Sequence, residues 1–112
     1  MAGNNEIYER YGNEEEAKNC SREQKLLPRP NHETQPKWIA DIGKVLPRTL
    51  GKSKNYKYRI EIVTKRGTKE WLKQFEIKSN EPGRYAIPSD EVPKFNNEYV
   101  ISVSTFKRGA KR

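Results

Sequence analysis

Lysine and arginine carry most of the chemistry available to this sequence. Lys52, Lys54, Lys57 and Arg59 lead into and along one alternating segment, and Lys65, Arg66, Lys69 and Lys73 follow its end. Lys107, Arg108, Lys111 and Arg112 stand at the last positions. Cations on every second residue of a strand lie ~6–7 Å apart, close to the phosphate spacing of a nucleic-acid backbone. The field is uneven. Residues 1–35 hold five Lys/Arg against seven Asp/Glu, residues 36–112 hold eighteen against eight, and the whole chain carries +8. A positive field of this kind attracts polyanions and speeds their encounter. The expected nucleic-acid-binding residues are therefore Lys52, Lys54, Lys57, Arg59, Lys65, Arg66, Lys69, Lys73, Lys107 and Arg108. The aromatic residues fall on the apolar side of each predicted strand, so contacts to phosphate should outweigh contacts to bases. A solvated basic face is the competing account, because lysines on exposed and edge strands also keep sheets from pairing with one another.

Other chemistries lack their residues. His32 is the sole histidine and sits in a Pro-rich stretch with no serine or cysteine motif beside it. Cys20 is the sole cysteine, which excludes an intramolecular disulfide and a Cys-rich zinc site and reads as an exposed thiol in a mobile arm. Gly51-Lys52-Ser53 looks like the end of a phosphate-binding loop, but the glycine required five positions earlier is Leu46. The carboxylates are scattered among basic residues. The expectation is a protein that is not an enzyme and has no catalytic residue, metal or cofactor. No apolar run reaches the ~18 residues of a membrane span, and the first six residues do not read as a signal peptide. The expected location is cytoplasmic, nuclear or virion-associated, with no membrane partner.

The elements that must position the basic residues follow from the hydrophobic period. Residues 1–35 are polar and read as a flexible acidic arm, partly helical over 13–26. Within it Ile7, Tyr8, Tyr11 and Ala17 suit one side of a helix capped by Asn4 or Asn5. Pro28, Pro30 and Pro36 make an extended linker. From Trp38 the period becomes two. Strands are expected at Trp38–Leu46, Tyr56–Ile62, Glu70–Lys78, Arg84–Ile87 and Glu98–Phe106. A hairpin turn is expected at Lys65-Arg66-Gly67-Thr68, and loops at Asn80-Glu81-Pro82-Gly83 and at Pro93 to Asn97. In the second strand Tyr56, Tyr58, Ile60 and Ile62 face the core, leaving Lys57 and Arg59 on the solvent side. The predicted fold is all-β: a small antiparallel β-sandwich or barrel over residues 36–106, with the arm and linker before it and a basic tail at 107–112.

Two segments resemble a known family. Arg84-Tyr85-Ala86-Ile87-Pro88 with Glu98-Tyr99-Val100-Ile101-Ser102-Val103-Ser104-Thr105 resembles strands E and F of fibronectin type III domains, and Tyr56 to Ile62 looks like their strand C. The resemblance covers residues 56–105. It implies that Tyr99 is a corner tyrosine bonded back to the preceding loop, and that Trp71 and Ile101 share a core.

Two functions fit. The first is a non-catalytic nucleic-acid-binding accessory protein of viral, phage or ribonucleoprotein type, holding RNA or single-stranded DNA mostly by its backbone. The second is a fibronectin-like protein-interaction module, such as a virion or phage structural component, taking a partner strand at an open sheet edge.

Overall fold

The computed structural model describes residues 5–27, 34–43, 56–77 and 83–108. Lys52, Lys54, Lys111, Arg112, His32 and the turn at 80–82 lie outside these residues. Five strands make one antiparallel sheet: β1 (Glu6–Gly12), β2 (Lys37–Asp41), β3 (Tyr58–Thr64), β4 (Arg84–Ile87) and β5 (Val100–Lys107), in the order β4-β2-β1-β3-β5. Among the described residues three short α-helices, α1 (Glu14–Glu23), α2 (Thr68–Leu72) and α3 (Val92–Glu98), lie between strands along the chain. The fold is mixed α/β, which overturns the expected all-β sandwich or barrel. It also overturns the flexible N-terminal arm. β1 is the central strand, paired with β3 from Glu6↔Thr64 to Gly12↔Tyr58 and with β2 at Tyr8↔Asp41 and Glu9↔Ala40.

The alternation of β1 is obscured by buried polar residues. Tyr8 and Arg10 point to the helix side, while Glu9, fully buried, points to the other and accepts a hydrogen bond from the Gly43 amide at 3.0 Å. α1 starts as its sequence dictates. The Asn13 side chain accepts from the Glu16 amide at 2.8 Å, and Glu14, Glu15 and Glu16 suit the positive end of the helix. Its inner side is Glu16, Ala17 and Cys20. Cys20 is fully buried, so it is a core thiol and not an exposed one. Gly12 lets this helix close on the sheet, since a Cβ there would lie 2.9 Å from Glu16 Oε1 and 3.3 Å from Ile60 Cδ1.

Around Glu70 the expected strand is a helix. Thr68 and Leu72, four residues apart, are both buried, and Lys73–Phe75 adds a 3₁₀ turn that leaves Lys73 in solvent. The Lys65–Thr68 turn therefore leads into α2 and not into a returning strand, with Gly67 taking a φ of 95°. The α2 start is capped from β1: Glu6 accepts from the amides of Gly67 at 2.8 Å and Lys69 at 2.7 Å. α3 replaces the loop expected at 93–97, because proline in the first turn of a helix has no amide to satisfy there. Tyr99 ends α3, its ring stacked on Trp71 at 5.0 Å. Ile101 stays 48% exposed, next to the register shift at Val63/Thr64, and so takes no part in a core with Trp71.

The core lies between the helices and one sheet face. Tyr8, Ile39, Ile60, Ile62, Tyr85, Ile87 and Val103 supply the sheet side, and Cys20, Leu26, Leu72 and Phe95 help close it. β3 alternates as its sequence requires, with Ile60 and Ile62 inward and Arg59, Glu61 and Val63 on the far face. The edges are occupied differently. β4 is bridged by Glu76 and accepts at Arg84 O from the Ile77 amide at 2.9 Å. At β5 the Gln24 side chain donates to Val103 O at 2.8 Å and accepts from Val103 N at 2.9 Å.

Candidate functional site

Register places a row of rings and cations on the sheet face turned away from the helices. Tyr11 sits opposite Arg59, Arg59 opposite Phe106, and Trp38 opposite Ala86. The β1–β2 register carried two residues further sets Trp38 beside Tyr11. Both line a cleft of about 210 Å³, together with Glu9, Ala40, Tyr56 and Arg84. Trp38 is 48% exposed because its neighbour Ile39 takes the inward position. A half-exposed indole next to a partly exposed phenol gives a flat surface on which planar groups can stack.

Among the described residues, the expected binding residues do not form one stripe. Lys57, Lys107 and Arg108 gather at the end of the sheet where β3 begins and β5 finishes, lining a shallow groove of about 400 Å³ with Tyr58 and Glu14. Arg108 continues the ladder, its amide donating to Lys57 O at 2.7 Å. This is the same end that carries Tyr11, Arg59 and Phe106. Lys65 and Arg66 are exposed at the other end of β3, roughly 25 Å from Lys57 at strand rise. Lys69 and Lys73 lie beyond them on α2 and the turn after it. Lys69 pairs with Asp41 at 2.8 Å, and that hydrogen bond holds its ammonium above the ordinary lysine value. Lys73 lies 3.4 Å from Glu70.

Arg59 departs most from expectation. It is on the non-helical face, but 3% exposed, with its guanidinium 4.7 Å from the Phe106 ring and Nε 2.8 Å from Glu61 Oε2. It stiffens the platform and does not present a cation to solvent. Tyr11, Trp38, Tyr56 and Arg84 were missed as site residues. The available signal was the phase of β2, where Lys37 and Ile39 inward put Trp38 and Ala40 on the far face. That phase is ambiguous in a segment where Trp38, Ile39 and Ala40 are all apolar.

A second concentration of charge lies on the helix side. Glu16 is buried and held by two cations: Arg10 Nε at 2.6 Å and Lys37 Nζ at 2.9 Å, with side-chain exposures of 2%, 13% and 7% respectively. Arg10 also donates to Trp38 O at 2.7 Å. Burial pushes the Glu16 carboxyl up, but Arg10 and Lys37 more than reverse this and hold it below the usual range. Burial and then Arg10 push the Lys37 ammonium down, against the pull of Glu16. Cys20, just beneath, is raised chiefly by burial.

Among the described residues no three His, Cys, Asp or Glu side chains converge on a possible metal position, and no helix is long and apolar enough to cross a membrane. No family model, curated protein or solved structure matches this chain.

Proposed function

We propose that the chain is a non-catalytic nucleic-acid-binding protein that lays single-stranded RNA or DNA over the end of its sheet where β3 begins and β5 finishes. Trp38 and Tyr11 would stack bases, and Lys57, Lys107 and Arg108 would neutralise the backbone. The observation that carries this reading is the coincidence of exposed rings and clustered cations at one end of the sheet. Single-strand binders combine these two features, because every base has a stackable face and every nucleotide a phosphate. A duplex hides its base faces, so it should engage only the cations.

Fluorescence anisotropy with labelled oligonucleotides of about twelve nucleotides tests the proposal. Single strands should bind more tightly than duplex. Trp38→Ala should cost roughly 1–3 kcal/mol, the range for one stacked base. Lys57→Ala with Lys107→Ala should lower the slope of log K against log salt by about 0.7 per lost contact. Lys65→Ala with Arg66→Ala, at the far end, should change it less. Equal binding of duplex and single strand, or an unaffected Trp38 variant, would remove the stacking platform. No binding at low salt would favour the protein-interaction reading, supported by the apolar surface at Ile7, Trp38 and Ile101, each 43–48% exposed.

A further inference from the structure

Lys37 opens the sequence of β2 on the helix-covered side and lines a cleft of about 300 Å³. Leu27 and Val92 give this cleft an apolar wall, while Gln35, Ser89 and Asn97 give it polar positions. Among the described residues the Lys37 ammonium meets one acceptor, Glu16 Oε2, though an ammonium carries three donors. Among the described residues the buried cluster holds two cations, Arg10 and Lys37, against the single carboxylate of Glu16, which leaves one positive charge over where solvent screening is weak. Lys25 adds another cation among the lining residues.

We infer that this cleft binds a small organic monocarboxylate, its carboxylate on Lys37 and its apolar body against Leu27 and Val92. The lining selects the class. A carboxylate answers the cation at Lys37, and only a ligand with an apolar body covers Leu27 and Val92, which a phosphate dianion would leave bare. The downward push that burial and Arg10 exert on Lys37 fits a site that lacks one counter-charge. This site lies on the face opposite Trp38 and does not depend on nucleic-acid binding.

The test uses the full chain and benzoate, with benzyl alcohol as neutral isostere and inorganic phosphate as dianion, read by amide chemical shifts. Benzoate should give saturable shifts at Leu26, Leu27, Asn96 and Asn97. The alcohol should bind roughly tenfold more weakly or worse, the usual loss of a charge-assisted hydrogen bond. Lys37→Met should weaken benzoate by a similar factor while leaving the Arg10–Glu16 pair in place. Asn97→Asp, an exposed change, should weaken it several-fold by repulsion without touching the core. Equal binding of alcohol and benzoate, tighter binding of phosphate, unchanged affinity in both variants, or no saturable shift at roughly 10 mM would each overturn the inference.

Discussion

Glu16→Gln is the sharpest perturbation of this fold, because it removes charge while nearly preserving shape. The substitution leaves Arg10 and Lys37 buried together with no anion between them. Removing one partner of a buried pair typically costs about 3–5 kcal/mol. A ceiling follows from the lysine itself, which can discard its proton. Neutralising an ordinary lysine of pKa ~10.4 at neutral pH costs about 4.6 kcal/mol, at 1.36 kcal/mol per unit. The expected loss at neutral pH is therefore about 3–4.6 kcal/mol, a large share of the ~5–15 kcal/mol of a typical domain. Urea unfolding at constant m-value measures it. The loss should shrink by about pH 9.5, as Lys37 of the variant sheds its proton more readily than an ordinary lysine. In acid the wild type should approach the variant. The Glu16 pKa is lowered in the folded state, so its stabilisation is complete above the ordinary carboxyl value of 4.5 and disappears as pH falls through the lower folded value. Lys37→Met in the same chain should recover about 1–3 kcal/mol, the coupling expected of neighbours in one network. A loss below about 1 kcal/mol, or one indifferent both to pH and to Lys37→Met, would refute the account of a buried, over-charged cluster.

Two further outcomes follow from the same core and its edge. Cys20 should react with a thiol reagent far more slowly in the native protein than in urea, since it is fully buried and its thiol is raised by that burial; native labelling at the unfolded rate would contradict its placement. Gln24→Ala should free both backbone groups of Val103 and promote concentration-dependent association through β5, read by sedimentation velocity; a strictly monomeric variant would show that the Gln24 amide does not guard the edge.

What could be read in advance, and what could not, divides along how each segment treats its polar residues. β3 was legible because Ile60 and Ile62 alternate with hydrophilic neighbours, and β4 because the large apolar residues Tyr85 and Ile87 stand at alternate positions before Pro88. α1 was legible as helical tendency over 13–26, but its cap is Asn13 and not the expected Asn4 or Asn5, because residues 6–12 before it are a strand. β1 was not, because a central strand of this sheet buries Glu9 and Arg10, one on each face, and so has no apolar alternation to detect. α2 was misread because Trp71, Phe75 and Ile77 fit a strand, while Thr68 and Leu72 fit a helix, and only tertiary packing decides. Of the candidate site, the cations at Lys57, Lys107 and Arg108 were visible as composition. Their company with Trp38 and Tyr11 was not, since it depends on the strand order. Arg59 looked like a surface cation for the same reason; nothing local announces that Phe106 will lie beneath its guanidinium.

The Glu6 cap ties together parts of the chain that are otherwise remote. Its carboxylate is separated by 61 and 63 residues from the amides it accepts. A five-residue helix has too few internal hydrogen bonds to hold itself, so α2 depends on that distant anion. The amides of Gly67 and Lys69 are therefore held from β1, which lies between β2 and β3, and they are released when the Glu6 side chain turns away or β1 leaves its place. The start of α2 is thereby coupled to the central strand, and a strand early in the sequence waits for a partner more than sixty residues further on.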